Sequence, residues 1–404
     1  MTQLFNILPS VSRMADISAG EAISSKEGIG PVGLLVLQPT TFCNLDCSYC
    51  YLPNRNSQNE MSVETAIAAF HWVFQSGLAG PRLEARWHAG EPLVKPLRFY
   101  QEVLTAIKKI PMADTALTHS IQSNGTLLTS EWCDFIKQEQ IRFGISLDGP
   151  QMFHDTFRQT RGRRGTFKQV MRGVELLQRT ETPFEVIAVV TSKTLDHPDE
   201  FYQFFAGLGI QQLGLNLEET EGIHVSDTLK NPQLVDQFTA FMRRLRHLQK
   251  ESSFLKIREF DQIKGTILYG NTQARSMPAT PLGIVSVDYA GNLSTFSPEL
   301  LGMSHPQFPS FVFGQVSEPA ECLLNSPMFR LVAQSVASGV EKCRRQCEYY
   351  SLCGGGAPAN KLWENGSFDS VETLYCRTRV KVMADLILSE FESSAQSVPP
   401  EPLK

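Results

Sequence analysis

From about residue 33 to 218, short apolar and β-branched runs alternate with helical patterns. That alternation commits the chain to βα units built on a parallel sheet. Six runs read as strands: Gly33 to Gln38, Leu83 to His88, Leu117 to Gln122, Arg142 to Leu147, Phe184 to Thr191 and Gln212 to Leu217. Helices fall between them, Val63 to Gln75 and Phe167 to Arg179 being the clearest. Six units are too few for a closed eight-stranded barrel. In barrels the working residues sit at the C-terminal ends of the strands, and each chemistry-bearing motif of this stretch falls at such an end.

The rest of the chain is sorted by composition. Its 404 residues suffice for one large α/β domain and a smaller one. We divide it into an N-terminal extension (1–30), a barrel domain (31–250), a connecting segment (251–281), a second domain (282–393) and a disordered tail (394–404) carrying Pro399, Pro400 and Pro402. A long helix is expected over Asn231 to Gln249. The second domain opens with a hairpin signal, Ile284 to Asp288, Ala290-Gly291-Asn292, then Leu293 onward, and closes with an amphipathic helix, Arg377 to Phe391. No apolar stretch is long enough to span a bilayer, and residues 1–30 lack the apolar core of a secretory signal, so no membrane partner and a cytoplasmic location are expected. A net charge of −5 argues against nucleic acid as a partner. Arg158, Arg161, Arg163 and Arg164 read by default as a solvated loop.

Of nine cysteines, seven fall into two tight sets, which suits metal ligation better than disulfides in a chain expected to be cytosolic. Cys43, Cys47 and Cys50, spaced C-x3-C-x2-C, follow the first strand. Three thiolates on one loop can ligate three irons of a 4Fe-4S cubane and leave the fourth iron open, whereas a structural zinc would lack a ligand. Cys343, Cys347, Cys353 and Cys376 form a closed set of four, suited to a fully coordinated electron-transfer cluster, with zinc as the runner-up. Cys133 and Cys322 have no partner pattern and read as small buried apolar residues.

With Tyr51 the first set becomes C-x3-C-x2-C-aromatic, which resembles the radical S-adenosylmethionine (radical SAM) enzymes. The resemblance implies a partial (β/α)6 radical SAM barrel with a C-terminal SPASM-like iron-sulfur domain. Trp87-His88-Ala89-Gly90-Glu91-Pro92 looks like the family's Gly-Gly-Glu motif, so Ala89, Gly90 and Glu91 would hold the methionyl amine of S-adenosylmethionine. A plain βα turn with a helix-starting Glu-Pro is the bland alternative. Gln122-Ser123-Asn124-Gly125 and Ser146-Leu147-Asp148-Gly149 resemble segments whose Ser or Asn side chains meet the cofactor's ribose and carboxylate. Ser123, Asn124 and Ser146 are the candidates, against Asx or Ser turns at strand ends. His154-Asp155-Thr156-Phe157-Arg158 resembles the family's His-Asp-x-x-Arg, and its arginine fork suits the cofactor carboxylate or an acidic peptide.

The second set resembles the SPASM domain of peptide-modifying radical SAM enzymes, which in full form carries two auxiliary clusters. Here Ala357 and Phe296 stand at positions where thiolates are expected, so the resemblance implies one auxiliary 4Fe-4S cluster only. The closest subgroup forms cyclophanes on glycine-rich repeat precursor peptides, on the segments Gln38-Pro-Thr-Thr-Phe-Cys43, Ser297-Pro-Glu-Leu-Leu-Gly302 and Cys353-Gly-Gly-Gly-Ala-Pro-Ala-Asn-Lys361. It implies reductive cleavage of S-adenosylmethionine by a reductant such as flavodoxin or ferredoxin. Hydrogen abstraction from a side-chain β-carbon and bonding of that carbon to an aromatic ring would follow. Ser297 replaces the aspartate that serves as base in sulfatase-maturing relatives, which leaves Glu299 as candidate base. Formylglycine formation in a sulfatase is the alternative reaction. A noncatalytic iron-sulfur electron carrier is the alternative of another class, and it has no need of Ala89-Gly90-Glu91.

Overall fold

The computed structural model describes residues 28–112, 114–252, 254–270 and 275–396. Most of the N-terminal extension and residues 397–404 of the expected tail therefore lie outside the described residues. Six strands alternate with helices as the sequence pattern requires: β1 Val32–Leu37, β2 Ala79–Trp87, β3 Ala116–Ser123, β4 Arg142–Ser146, β5 Glu185–Val190 and β6 Gln212–Leu217. All pair in parallel with their sequence neighbours. The helix Val63–Gln75 starts where Ser62 Oγ accepts from Thr65 N at 3.0 Å, and it buries Ala66, Ala69, Phe70, Trp72 and Val73 on one face.

Alternate residues of each strand line a single cavity: Leu34 and Val36, Glu84 and Arg86, Ser120 and Gln122, Gly144 and Ser146, Ile187 and Val189, Leu215 and Leu217. Successive side chains of a strand point to opposite faces, so one face of all six strands turns inward around that space. The other face packs on the helices through an apolar core.

The sheet does not end at the sixth strand. The order is β10-β9-β8-β1-β2-β3-β4-β5-β6-β7. Beyond β6 lies β7, Lys256–Ile257, which runs directly into the helix Arg258–Tyr269. The segment expected to be an irregular connection thus adds a strand and a helix to the barrel's end. On the other side, the expected hairpin forms as β8 Ile284–Val287 and β9 Asn292–Thr295, with β10 Gly314–Gln315 beyond it. Asp288 Oδ1 accepts from Ala290 N and Asn292 N, both at 2.9 Å, and closes its turn. Register between β1 and β8 is parallel from Leu34 opposite Ile284 to Leu37 opposite Val287, so the sheet runs across residue 282.

The long helix runs from Leu234 to Ser252. Cys133 is buried as expected, whereas Cys322 is exposed on the short helix Ala320–Asn325. The last helix begins later than its pattern suggested, because Arg377–Val382 forms a π-helical turn before Met383–Gln396. Arg246 on the long helix grips Glu390 on the last with two hydrogen bonds, of 2.8 and 2.9 Å.

Candidate active site

The cavity has a volume of about 820 Å³ and runs along the inside of β1 to β6, reaching their C-terminal ends. That size falls in the usual range of small-molecule sites, roughly 300–1,000 Å³. Cys43, Cys47 and Cys50 line one wall, on the loop that leaves β1. All three are free thiols and half-buried. Arg158 of the basic segment is buried, while Arg161, Arg163 and Arg164 are exposed as expected, and the segment also holds this loop in place. Arg161 donates through Nε and Nη2 to Cys43 O at 3.1 and 2.7 Å, and Arg163 and Arg55 pair with Asp46. Backbone bonds from Asp46 N to Gln159 O (2.7 Å) and Ser48 N to Phe157 O (3.0 Å) complete the clamp.

The Ala89-Gly90-Glu91 segment crosses behind the cysteine loop. Ala89 (φ 74°) and Gly90 (φ 58°) are both left-handed. A Cβ on Gly90 would lie 2.4 Å from Phe42 O and 2.6 Å from Thr40 O, so only glycine fits there. The fold then delivers Glu91, 1% exposed, to the cavity wall. Its Oε1 accepts from Leu93 N at 3.0 Å and from Ser123 Oγ at 2.8 Å, and Oε2 accepts from Asn124 N at 2.8 Å. Burial pushes this carboxyl above its usual range, with those hydrogen bonds pulling the other way.

Ser123 and Asn124 therefore serve the site through the protein. Ser123 Oγ also accepts from Gly125 N, and Asn124 Nδ2 donates to Asn44 Oδ1 at 2.9 Å, tying the third strand's end to the cysteine loop. Asn124 Nδ2 also stands 3.9 Å from Cys43 Sγ. Ser146 faces the cavity and accepts from Gln122 Nε2 at 3.0 Å. Tyr51 lines the same wall, its hydroxyl 3.3 Å from His88 Nε2. Burial, then the charge of Arg86, lowers His88 to about 4, which keeps it neutral.

Arg158 reaches the cavity but its fork is engaged: Nε and Nη2 donate to Asp148 Oδ2 and Oδ1 at 2.9 and 3.0 Å. Tyr49 Oη and Val189 N donate to the same carboxylate at 2.5 and 3.0 Å. Burial alone would raise Asp148, but Arg158, His154 and the hydrogen bonds outweigh it and hold the carboxyl below its usual range.

Beside the end of β1, where Gln38 Nε2 donates to Pro298 O at 3.0 Å, sequence reading found Glu299 alone. It is half-buried, accepts from Ser297 Oγ, and is joined on the wall by Glu219 and Glu221 from the loop after β6. Burial pushes Glu299 up to about 7. Burial does the same for Glu219, against a 2.6 Å hydrogen bond from Asn360 Nδ2 and with help from the Glu299 charge. Glu219 and Glu221 stand in Asn216-Leu-Glu-Glu-Thr-Glu221, at a strand's C-terminal end, and that position was the available signal. Phe296 is fully buried at φ 73°, and Ala357 lines the same cavity.

The second cysteine set gathers at the C-terminal end of the helix Pro327–Gln346. Cys343 is buried in its last turn, Cys347 caps it, and Cys353 and Cys376 come from short helices. Burial raises Cys376 to about 12, followed by the charges of Cys353 and Cys347. Lys361, which sequence reading cited only as part of a motif, donates through Nζ to Cys343 Sγ at 3.2 Å.

Among the described residues, no three His, Cys, Asp or Glu side chains are already drawn together as metal ligands. The donor chemistry still fits iron-sulfur clusters: two groups of unbridged thiols, one of three on a cavity wall and one of four beside a buried cation. Burial pushes Cys47 up to about 11, so metal loading would release protons. No described helix is long and apolar enough to cross a membrane.

Comparison with known proteins agrees with this arrangement. An uncharacterized protein of Synechocystis is 39% identical over 371 residues, 90% of this chain and 93% of that one. A serine-type anaerobic sulfatase-maturating enzyme of Bacteroides thetaiotaomicron is 25% identical over 82% of this chain and 84% of its own. Among solved structures, native anSMEcpe with bound AdoMet and Cp18Cys peptide superposes with a TM-score of 0.71 at 22% identity, covering 90% of this chain and 98% of that one. Streptococcus suis SuiB bound to precursor peptide SuiA gives 0.60 at 14% identity, over 93% and 84%. These two share the fold. Residues 37–205, which carry the cysteine loop, Glu91 and the Asp148–Arg158 pair, match the Radical SAM superfamily. The chain is an enzyme of the radical SAM superfamily, whose members use a 4Fe-4S cluster and S-adenosylmethionine.

Proposed function

We propose that this enzyme modifies a ribosomally made precursor peptide and forms a carbon–carbon crosslink, a cyclophane, between an aromatic ring and a side-chain β-carbon. The observation that carries the reading is one continuous cavity lined both by the three-cysteine loop and by the carboxylates of Glu219, Glu221 and Glu299. Cys43, Cys47 and Cys50 would hold the open-iron cluster, and Cys343, Cys347, Cys353 and Cys376 one auxiliary cluster. When bound, these groups and S-adenosylmethionine supply one-electron chemistry that removes hydrogen from an unactivated carbon.

The chain's own residues do the rest. Glu91 is fixed by three donors out of roughly four acceptor positions, and the remaining one suits the methionyl ammonium. Ala89 and Gly90 shape that approach, while Ser123 and Asn124 hold Glu91 and the cysteine loop. Tyr51 and Ser146 border the cofactor's space, and Arg158, neutralised by Asp148, supplies a rigid wall. Rearomatising the substituted ring releases one proton and one electron, and the cluster that Cys343, Cys347, Cys353 and Cys376 would hold could accept the electron. Glu299 takes the proton, since burial brings its carboxyl near the operating pH.

A peptide substrate is also consistent with the precursor peptide held by SuiB and the Cp18Cys peptide held by anSMEcpe. The 25% identity to a sulfatase-maturating enzyme supports one second reading, formylglycine formation in a sulfatase. Against it stand Phe296 and Ser297 in the hairpin. The test is anaerobic reaction of the reconstituted enzyme with a reductant, S-adenosylmethionine and a synthetic glycine-rich repeat peptide carrying spaced aromatic residues. Loss of two hydrogens per product, with a ring-to-β-carbon bond in the fragmentation spectrum, is expected. Formation of 5'-deoxyadenosine with an unaltered peptide, or turnover of a sulfatase peptide instead, would refute the crosslinking reading.

A further inference from the structure

Lys361 is not required by any ligand count, yet the fold buries it against one of the proposed ligands. It lies in the helix Pro358–Asn365 and is 4% exposed. Its Nζ donates to Gly339 O and to Cys343 Sγ, each at 3.2 Å. Both acceptors belong to the helix Pro327–Gln346. The intervening glycines make the approach possible: a Cβ on Gly355 would meet Val340 at 2.8 Å, and one on Gly354 would meet Ser276 N at 2.6 Å.

A buried ammonium without opposite charge is costly. Among the described residues Lys361 forms no ion pair with a carboxylate. Asp369, the acid whose charge it influences, is paired to Lys342 at 2.9 Å. A carbonyl and a neutral thiol do not balance the charge. A thiolate does, and it is also the stronger acceptor.

We propose that Lys361 is a positioning residue of the second cysteine site, its ammonium donating to the Cys343 thiolate and thereby raising the reduction potential of the cluster bound there. This rests on the reading that Cys343, Cys347, Cys353 and Cys376 hold an iron-sulfur cluster. Hydrogen bonds to ligand sulfur and nearby positive charge both favour the reduced, more negative cluster. The lysine would thus make that cluster a better electron acceptor.

The test uses the full-length chain, reconstituted anaerobically, with iron and sulfide analysis and redox titration followed by electron paramagnetic resonance. Lys361→Met removes the charge and keeps the length of the stem. Lys361→Arg keeps the charge. In Lys361→Met we expect two clusters per chain, an unchanged potential for the cluster on Cys43, Cys47 and Cys50, and a lower potential for the other. At the wild-type midpoint the reduced-to-oxidised ratio of that second cluster should fall about tenfold, which is about 59 mV for a one-electron couple. Lys361→Arg should stay near the wild type. Loss of the second cluster from Lys361→Met alone also supports the proposal, since the cation is then needed to hold the thiolate. An unchanged potential in Lys361→Met, or loss of the cluster from both variants, overturns it. The underlying reading fails separately: a Cys347→Ala/Cys353→Ala variant with undiminished iron shows that no cluster sits there.

Discussion

Arg158 and Asp148 face each other as a two-bond fork inside the barrel, Nε to Oδ2 at 2.9 Å and Nη2 to Oδ1 at 3.0 Å, with the arginine 8% and the aspartate 2% exposed. Each charge is affordable there only because of the other. Replacing Arg158 by Met leaves a buried carboxylate unpaired and should destabilise the apoprotein by about 3–5 kcal/mol, whereas Asp148→Leu combined with Arg158→Met should recover most of that loss. Urea unfolding of the single and double variants checks both. A single variant as stable as the wild type would mean that the pair contributes nothing to the fold.

The turn before Glu91 makes two opposite forecasts at adjacent positions. Ala89 carries a side chain at φ 74°, a conformation costing of the order of 1 kcal/mol that glycine does not incur, so Ala89→Gly should raise apoprotein stability by about that amount. Gly90→Ala should instead push against Phe42 O and Thr40 O, displacing the loop that leads to Cys43. It should lower both the melting temperature and the iron bound by the first cysteine set. Thermal melts and iron analysis of the two variants would show the contrast, and equal effects would refute it.

Much of this was legible in the sequence, for physical reasons that differ by element. The strands β1 to β6 and the helices Val63–Gln75 and Phe167–Arg179 follow from apolar periodicity, because each must bury one face. The cysteine loop and Glu91 follow from position at strand ends. Pairing partners were not legible. That Ser123 holds Glu91, that Asp148 occupies the fork of Arg158, and that Arg161 clamps the cysteine loop all depend on contacts across 32, 10 and 118 positions, which no local pattern encodes. The helix Arg258–Tyr269 escaped notice because a short strand joins it to the sheet without a loop. The joining of β8 to β1 is likewise a long-range pairing, set by register and not by hairpin chemistry.

Glu299 predicts a pH signature. With its carboxyl pushed up to about 7 by burial, the proton-accepting form grows as pH rises, so crosslinking should increase from pH 6 to 8 and level off above. Glu299→Gln should slow crosslinking by about 10²–10⁴-fold and flatten the profile, yet leave cleavage of S-adenosylmethionine intact. The same shift bears on stability. A carboxyl whose folded pKa lies above its unfolded one binds more protons when folded, so its contribution is complete below about 4.5 and is lost as pH rises through about 7. Denaturation between pH 5 and 8 should show Glu299→Gln losing less stability over that interval than the parent. A Gln variant with a wild-type pH–rate profile would remove Glu299 from the role of base.

Phe296 distinguishes a chain with one auxiliary cluster from one with two. Its ring is fully buried and packs beside the cavity, in the place where the family resemblance expects a thiolate. If the residue is core, Phe296→Ala should cost about 3–5 kcal/mol, through the transfer term and the cavity left behind. Iron and sulfide should remain at two clusters per chain, because no ligand is lost. Urea unfolding paired with metal analysis reads both quantities on one preparation. A variant of wild-type stability, or one that loses iron selectively from a third cluster, would show that this wall holds a metal group and not hydrophobic packing.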